Sequence, residues 1–120
     1  MKTKKRNLKI IIIAGIFLII IYLTVFREDS QDDYDEFAKC LTEKGAVLYG
    51  TYWCKYCDAQ KRDFGESEKF LNYVECSEDP DACTEKQIEG FPTWIINNQK
   101  YEGKQTLERL SALTGCKIRG

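Results

Sequence analysis

No histidine occurs among the 120 residues of this chain, and it has only two prolines and one methionine. Without histidine there is no His-based catalytic triad and no imidazole metal ligand, so any nucleophilic or acid-base chemistry must run on other groups. Acids are also missing from the first 27 residues, where every charge is positive. From residue 27 onward 13 bases stand against 19 acids, a surplus of six negative charges that argues against a nucleic-acid partner.

What the N-terminus does have is apolar length. Residues 10–26 carry no charge, and this 17-residue run lies within the range of about 17 to 25 residues that spans a bilayer. A buried soluble helix would show a polar stripe, which is absent here. A cleaved signal peptide is the competing reading. Its apolar region is usually about 7 to 15 residues and ends at small residues, whereas this run ends Thr24-Val25-Phe26-Arg27. The reading is therefore a basic cytoplasmic segment at 1–9, a transmembrane signal-anchor helix at 10–26, an acidic linker at 27–33 and one folded domain at 34–120. Lys2, Lys4, Lys5, Arg6 and Lys9 precede the span and acids follow it, so the N-terminus is expected in the cytoplasm and the domain outside, on a single-pass cell-membrane protein. Six cysteines, all beyond the span, fit an oxidising compartment.

Within the domain, Tyr34, Phe37, Ala38 and Leu41 recur at helical spacing until Gly45. Ala46 to Tyr49 reads as a buried strand, followed by a helix from the Cys54 region to Phe64, closed by Gly65. Tyr73 to Cys76 is a second strand and Ser77 to Ala82 a polar loop. Thr84 and Gln87 are spaced as a capping box for a brief helix ending at Gly90. Thr93 to Ile96 and Lys100 to Glu102 form a hairpin around Asn97-Asn98, and Leu107, Leu110 and Leu113 mark a last helix stopped by Gly115. Strands separated by helices predict a parallel pair with an antiparallel edge, an α/β mixed sheet flanked by helices.

Cys54-Lys55-Tyr56-Cys57 lies between a strand and a helix. At that helix start the unpaired N–H groups and the helix dipole favour an anion, so Cys54 is the candidate nucleophile, with Lys55 adding positive charge. Cys57, three positions on, shares the helix face and is the candidate resolving thiol. Trp53 and Tyr56 flank the pair and, with Lys55, would tune it. Half a zinc site and an inert structural disulfide are the alternatives. Zinc sites usually repeat a close cysteine pair, but six residues separate Cys76 from Cys83. No metal and no cofactor are called for. Proline heading the strand after Phe91 is confined to edges, first positions or turns, and the Phe91-Pro92 bond is a candidate for cis.

Trp53-Cys54-x-x-Cys57 after a strand, with Phe91-Pro92-Thr93 heading a later one, resembles the thioredoxin family over residues 34–120. More narrowly, Tyr49-Gly50-x-Tyr52-Trp53-Cys54, Phe64-Gly65, Tyr73-Val74-Glu75-Cys76, Cys83 and Gly90-Phe91-Pro92-Thr93-Trp94 resemble the thioredoxin-like domain fused to, or partnered with, membrane quinone reductases of the vitamin K epoxide reductase type. That resemblance implies a thioredoxin-like fold, a cis Pro92 beside Cys54, and passage of disulfides from such a membrane enzyme to exported cysteine-containing proteins. Phe91 and Pro92 would dock the substrate backbone in strand-like fashion. The sequence departs from the family in lacking an evident first strand, the quinone-reductase helices, and a histidine between the active cysteines. Cys76 and Cys83 match the narrower family and would close a loop as a disulfide, or relay electrons to the active pair. Cys40 and Cys116 remain. Pairing them follows only by elimination, since cysteines more than about 7 Å apart at Cα cannot bridge.

The sequence thus points to a membrane-anchored extracytoplasmic thiol-disulfide oxidoreductase. An extracytoplasmic reductase and, from another class, a tethered binding module with structural disulfides or zinc are the alternatives.

Overall fold

Twenty-four consecutive helical residues open the chain: α1 runs Lys2–Val25, longer than the uncharged stretch because the basic residues continue the helix. The computed structural model describes residues 2–26 and 34–119, so the expected linker at 27–33 lies outside the described residues. At 1.5 Å per residue α1 is about 36 Å long, enough for a hydrocarbon core of about 30 Å. Its large apolar side chains, such as Ile11, Phe17 and Leu23, are exposed. Length and composition suit a membrane anchor and a signal sequence alike. The chain divides into two compact units, Met1–Gln31 and Asp32–Gly120.

The second unit is built on a four-stranded sheet of order β2-β1-β3-β4, with β1 Val47–Gly50, β2 Tyr73–Glu75, β3 Thr93–Ile96 and β4 Gln99–Glu102. β1 pairs parallel with β2, where Leu48 faces Tyr73 and Gly50 faces Glu75, and antiparallel with β3. The parallel pair and antiparallel edge match the sequence expectation. Asn97 and Asn98 both take positive φ, 52° and 63°, in the two-residue β3-β4 turn. Asparagine tolerates that conformation, which matches the twist of a tight hairpin.

Side chains alternate across the sheet, so β1 and β3 bury residues on both faces. One face holds Leu48, Trp94 and Ile96 against Phe37, Ala38 and Leu41 of α2 (Asp35–Glu43), Phe64, and Leu110 of α5 (Leu107–Thr114). Tyr49 packs on the other face with Cys76, Cys83, Ile88 and Phe91. The helical spacing read in α2 and α5 is the spacing of this core face. Gly115 ends α5 at φ +77°, a left-handed cap that glycine adopts without strain. Just past it, Cys116 is bonded to Cys40 of α2, with Cα atoms 5.9 Å apart.

Two local readings need correction. Thr84 does not cap a helix. The brief helix is α4, Pro80–Glu85, lying partly where a loop was expected, and Asp79 caps it by accepting from the Ala82 N–H at 3.2 Å. Aspartate followed by proline at the first helical position is a helix-start signal that outweighs the threonine. Thr84 instead closes the last turn, its hydroxyl donating to the Pro80 carbonyl, and Gln87 follows at φ 54°. Residues Gly65–Phe70 also form a 3-10 helix that periodicity did not reveal, because it is too short to show a repeat.

Candidate active site

The helix α3, Lys55–Asp63, starts at the end of β1, and Cys54 is its N-cap. Its backbone is extended there (φ −84°, ψ 115°), its N–H donates to the Thr51 carbonyl at 3.2 Å, and its sulfur accepts from the Cys57 N–H at 3.2 Å. A sulfur in the N-cap position takes up one of the donors a helix start leaves unpaired. Both thiols are free. Cys54 keeps 8% of its surface exposed and Cys57 has none, so of the two thiols only Cys54 has an edge open to solvent.

Around that opening stand Tyr52, Trp53 and Tyr56, each more than 60% exposed. Lys55 is exposed at the first position of α3. The Trp53 ring meets Phe91 edge-on at 6.1 Å, which brings the Phe91-Pro92 loop to the neighbour of Cys54. The Phe91-Pro92 bond is cis, and the buried Pro92 accepts from the Gly103 N–H at 2.8 Å. Cys76 and Cys83 form a disulfide between the end of β2 and α4. Among the described residues no cluster of three or more possible ligands is placed to hold a metal ion.

Several residues at the site have no chemical role that the sequence assigns. Gly50 reads there as a strand boundary, but its role is close approach: a Cβ would stand 2.8 Å from Cys57 Sγ and 3.1 Å from the Tyr73 hydroxyl. Tyr73 donates to Glu75 Oε2 at 2.7 Å, while the Tyr52 N–H and the Ser77 hydroxyl donate to Oε1. Lys61 of α3 lies over the Tyr73 ring, 3.7 Å from its centre. Gln60, fully buried, accepts at Oε1 from Trp94 Nε1 and the Gln105 N–H and donates to the Gln105 carbonyl, which fastens α3 to β3 and to the loop before α5. The available signal was alternation: Tyr73 and Glu75 are two apart on a strand, hence on one face.

No family model matches the chain. Over 90 residues, 68% of this chain, it is 46% identical to thiol-disulfide oxidoreductase LTO1 of Arabidopsis thaliana. A second relative, protein disulfide-isomerase 5-1 of the same plant, is 28% identical over 94 residues, 65% of this chain. The chain spans 24% of the first relative's length and 64% of the second's. The folded domain is thioredoxin-like. Together with the two relatives, it supports an oxidoreductase enzyme of the thiol-disulfide class.

Electrostatics divide the thioredoxin-like site in two. Burial first, then the hydrogen bond and charge of Cys54, push the Cys57 thiol up to about 12, against smaller lowering effects from the Thr51 backbone and Lys61. Burial also raises Tyr73, reinforced by its bond to Glu75. Burial by itself raises Glu75 too, yet the hydrogen bonds from Ser77, Tyr73 and the Tyr52 N–H outweigh it and hold the carboxyl below its ordinary value. Cys57 is thus held protonated, while the Glu75 carboxylate bonded to Tyr73 is held ionised.

Proposed function

We propose that this chain is a membrane-anchored thiol-disulfide oxidoreductase whose thioredoxin-like domain works outside the cytoplasm and passes disulfides to exported cysteine-containing proteins. The observation that carries the reading is the pairing of an edge sulfur, Cys54 at a helix start, with a sealed thiol, Cys57, three residues on. In the oxidising direction a substrate thiolate attacks Cys54 of the Cys54-Cys57 disulfide, and Cys57 leaves with the electron pair. A second substrate thiolate then attacks the substrate sulfur of the mixed disulfide and releases Cys54 reduced. Phe91 and Pro92 would hold the substrate backbone, and Trp53, Lys55 and Tyr56 would tune the pair.

The five basic residues in the first turns of α1, ahead of its uncharged stretch, and the acids after the helix support a cytoplasmic N-terminus. Resemblance to domains served by membrane quinone reductases of the vitamin K epoxide reductase type supports such an enzyme as the source of oxidising equivalents. Direction is tested by equilibrating the full chain, in detergent, with glutathione buffers and counting free thiols at Cys54 and Cys57. The expected potential lies above about −220 mV and below about −120 mV. A value near about −270 mV would make the domain a reductase.

A further inference from the structure

Exchange at Cys54 and Cys57 moves a proton as well as electrons. With Cys57 fully buried, bulk water does not reach its sulfur directly. Gly50 opens a gap against which Cys57 Sγ and the Tyr73 hydroxyl both converge, 2.8 and 3.1 Å from the point a Cβ would fill. Tyr73 already donates to Glu75, and a phenol oxygen has lone pairs with which to accept as it donates. Glu75 is partly exposed and so exchanges protons with solvent.

Resting on the exchange reading above, we propose that Tyr73 and Glu75 form a proton relay between the Cys57 sulfur and solvent. In resolution of a Cys54 mixed disulfide, the Cys57 proton passes to the Tyr73 oxygen as the Tyr73 proton passes to Glu75. The Cys57 sulfur bonds to Cys54, the bond from Cys54 to the substrate sulfur breaks, and the substrate leaves with the electron pair as a thiolate. In the opposite direction the same path returns a proton to Cys57 as it leaves. The groups that face Cys57 are consistent with this. Cys54 caps α3 and Lys61 lies on it, the Thr51 backbone comes from the connection between β1 and α3, and Tyr73 comes from β2, with Glu75 of the same strand acting on Tyr73. The cation of Lys61 over the Tyr73 ring offsets negative charge passing beneath it. Tyr73, raised by burial and by Glu75, hands a proton on without ionising itself.

The test follows colour release when the reduced full chain, in detergent, reacts with dithiobis(nitrobenzoate). The first equivalent reports attack by Cys54 and the second reports resolution by Cys57. Tyr73→Phe keeps the ring under Lys61, and Glu75→Gln keeps an acceptor for the Tyr52 N–H. Both should leave the first phase unchanged and slow the second about ten-fold or more at pH 7, with the difference closing as hydroxide takes over at high pH. A second phase equal to that of the parent protein in both variants overturns the relay. Equal slowing of both phases at every pH overturns it too, because the pair then acts only on the fold. If the parent protein gives no first phase, the exchange reading itself fails.

Discussion

Removing the two structural disulfides one at a time tests how the six cysteines are divided. Cys40 and Cys116 are 76 residues apart in sequence, and Cys76 and Cys83 only 7. A cross-link acts largely on the unfolded chain, and the loop-closure relation gives about 4.5 kcal/mol for the long loop and about 2.5 kcal/mol for the short one at room temperature. Domains of this size are stable by about 5 to 15 kcal/mol, so losing the long staple would bring the fold near its limit while losing the short one would not. The perturbations are Cys40→Ala with Cys116→Ala, and Cys76→Ala with Cys83→Ala, each pair replaced together so that no thiol is orphaned. Urea unfolding of the full chain in detergent, followed by the fluorescence of the buried Trp94, measures the loss. Both variants should still exchange disulfides at Cys54 under conditions where they are folded. An equal loss, or a larger one from the short loop, would refute the loop-closure reasoning. Loss of exchange in the folded Cys76 and Cys83 variant would instead make that disulfide part of the electron path.

Gly50→Ala should slow resolution by Cys57 and cost about 1 to 3 kcal/mol of stability, because the new methyl meets the Cys57 sulfur and the Tyr73 ring. Unfolding curves and colour release would show unchanged behaviour if that gap can relax. Cys57→Ala should trap mixed disulfides through Cys54, visible on non-reducing gels; trapping by Cys54→Ala through Cys57 would reverse the roles. The fold holds the Cys57 proton more tightly than the unfolded chain, whose thiol titrates near 9. Stability of the reduced protein should therefore fall as pH rises from about 9 towards about 12, and the oxidised protein, which lacks that thiol, should not share the decline. In intact cells, after gentle reduction, an impermeant thiol reagent should label Cys54, and labelling only after lysis would reverse the proposed orientation.

Periodicity made α2 and α5 legible because each turns one apolar face to the core, while β-branched and aromatic residues marked β3, and the expected strand at Thr93 to Ile96 is the observed one. It failed at α4, where six residues make less than two turns and the signal lay in a cap, Asp79-Pro80, and not in a repeat. The partnership of Cys40 and Cys116, a disulfide in the structure, followed from the sequence only by elimination, and for a different reason. It depends on the end of α5 returning to α2, a contact between segments 76 residues apart that no local pattern encodes.

The candidate site divides along the same line. Cys54 and Cys57 are legible together because their chemistry is local, three residues apart on one helix turn, as is the strand-to-helix context that leaves Cys54 a small exposed edge and seals Cys57. Tyr73 and Glu75 look like ordinary strand residues until β2 is laid parallel to β1 with Gly50 opposite Glu75. That register sets the carboxylate beside the residue that leaves room for Cys57, and a slip of one residue would send Tyr73 and Glu75 to the other face of the sheet. The glycine is therefore informative only jointly with the register: alone it marks the end of a strand, and with its partner known it marks where the sulfur, the phenol and the carboxylate meet.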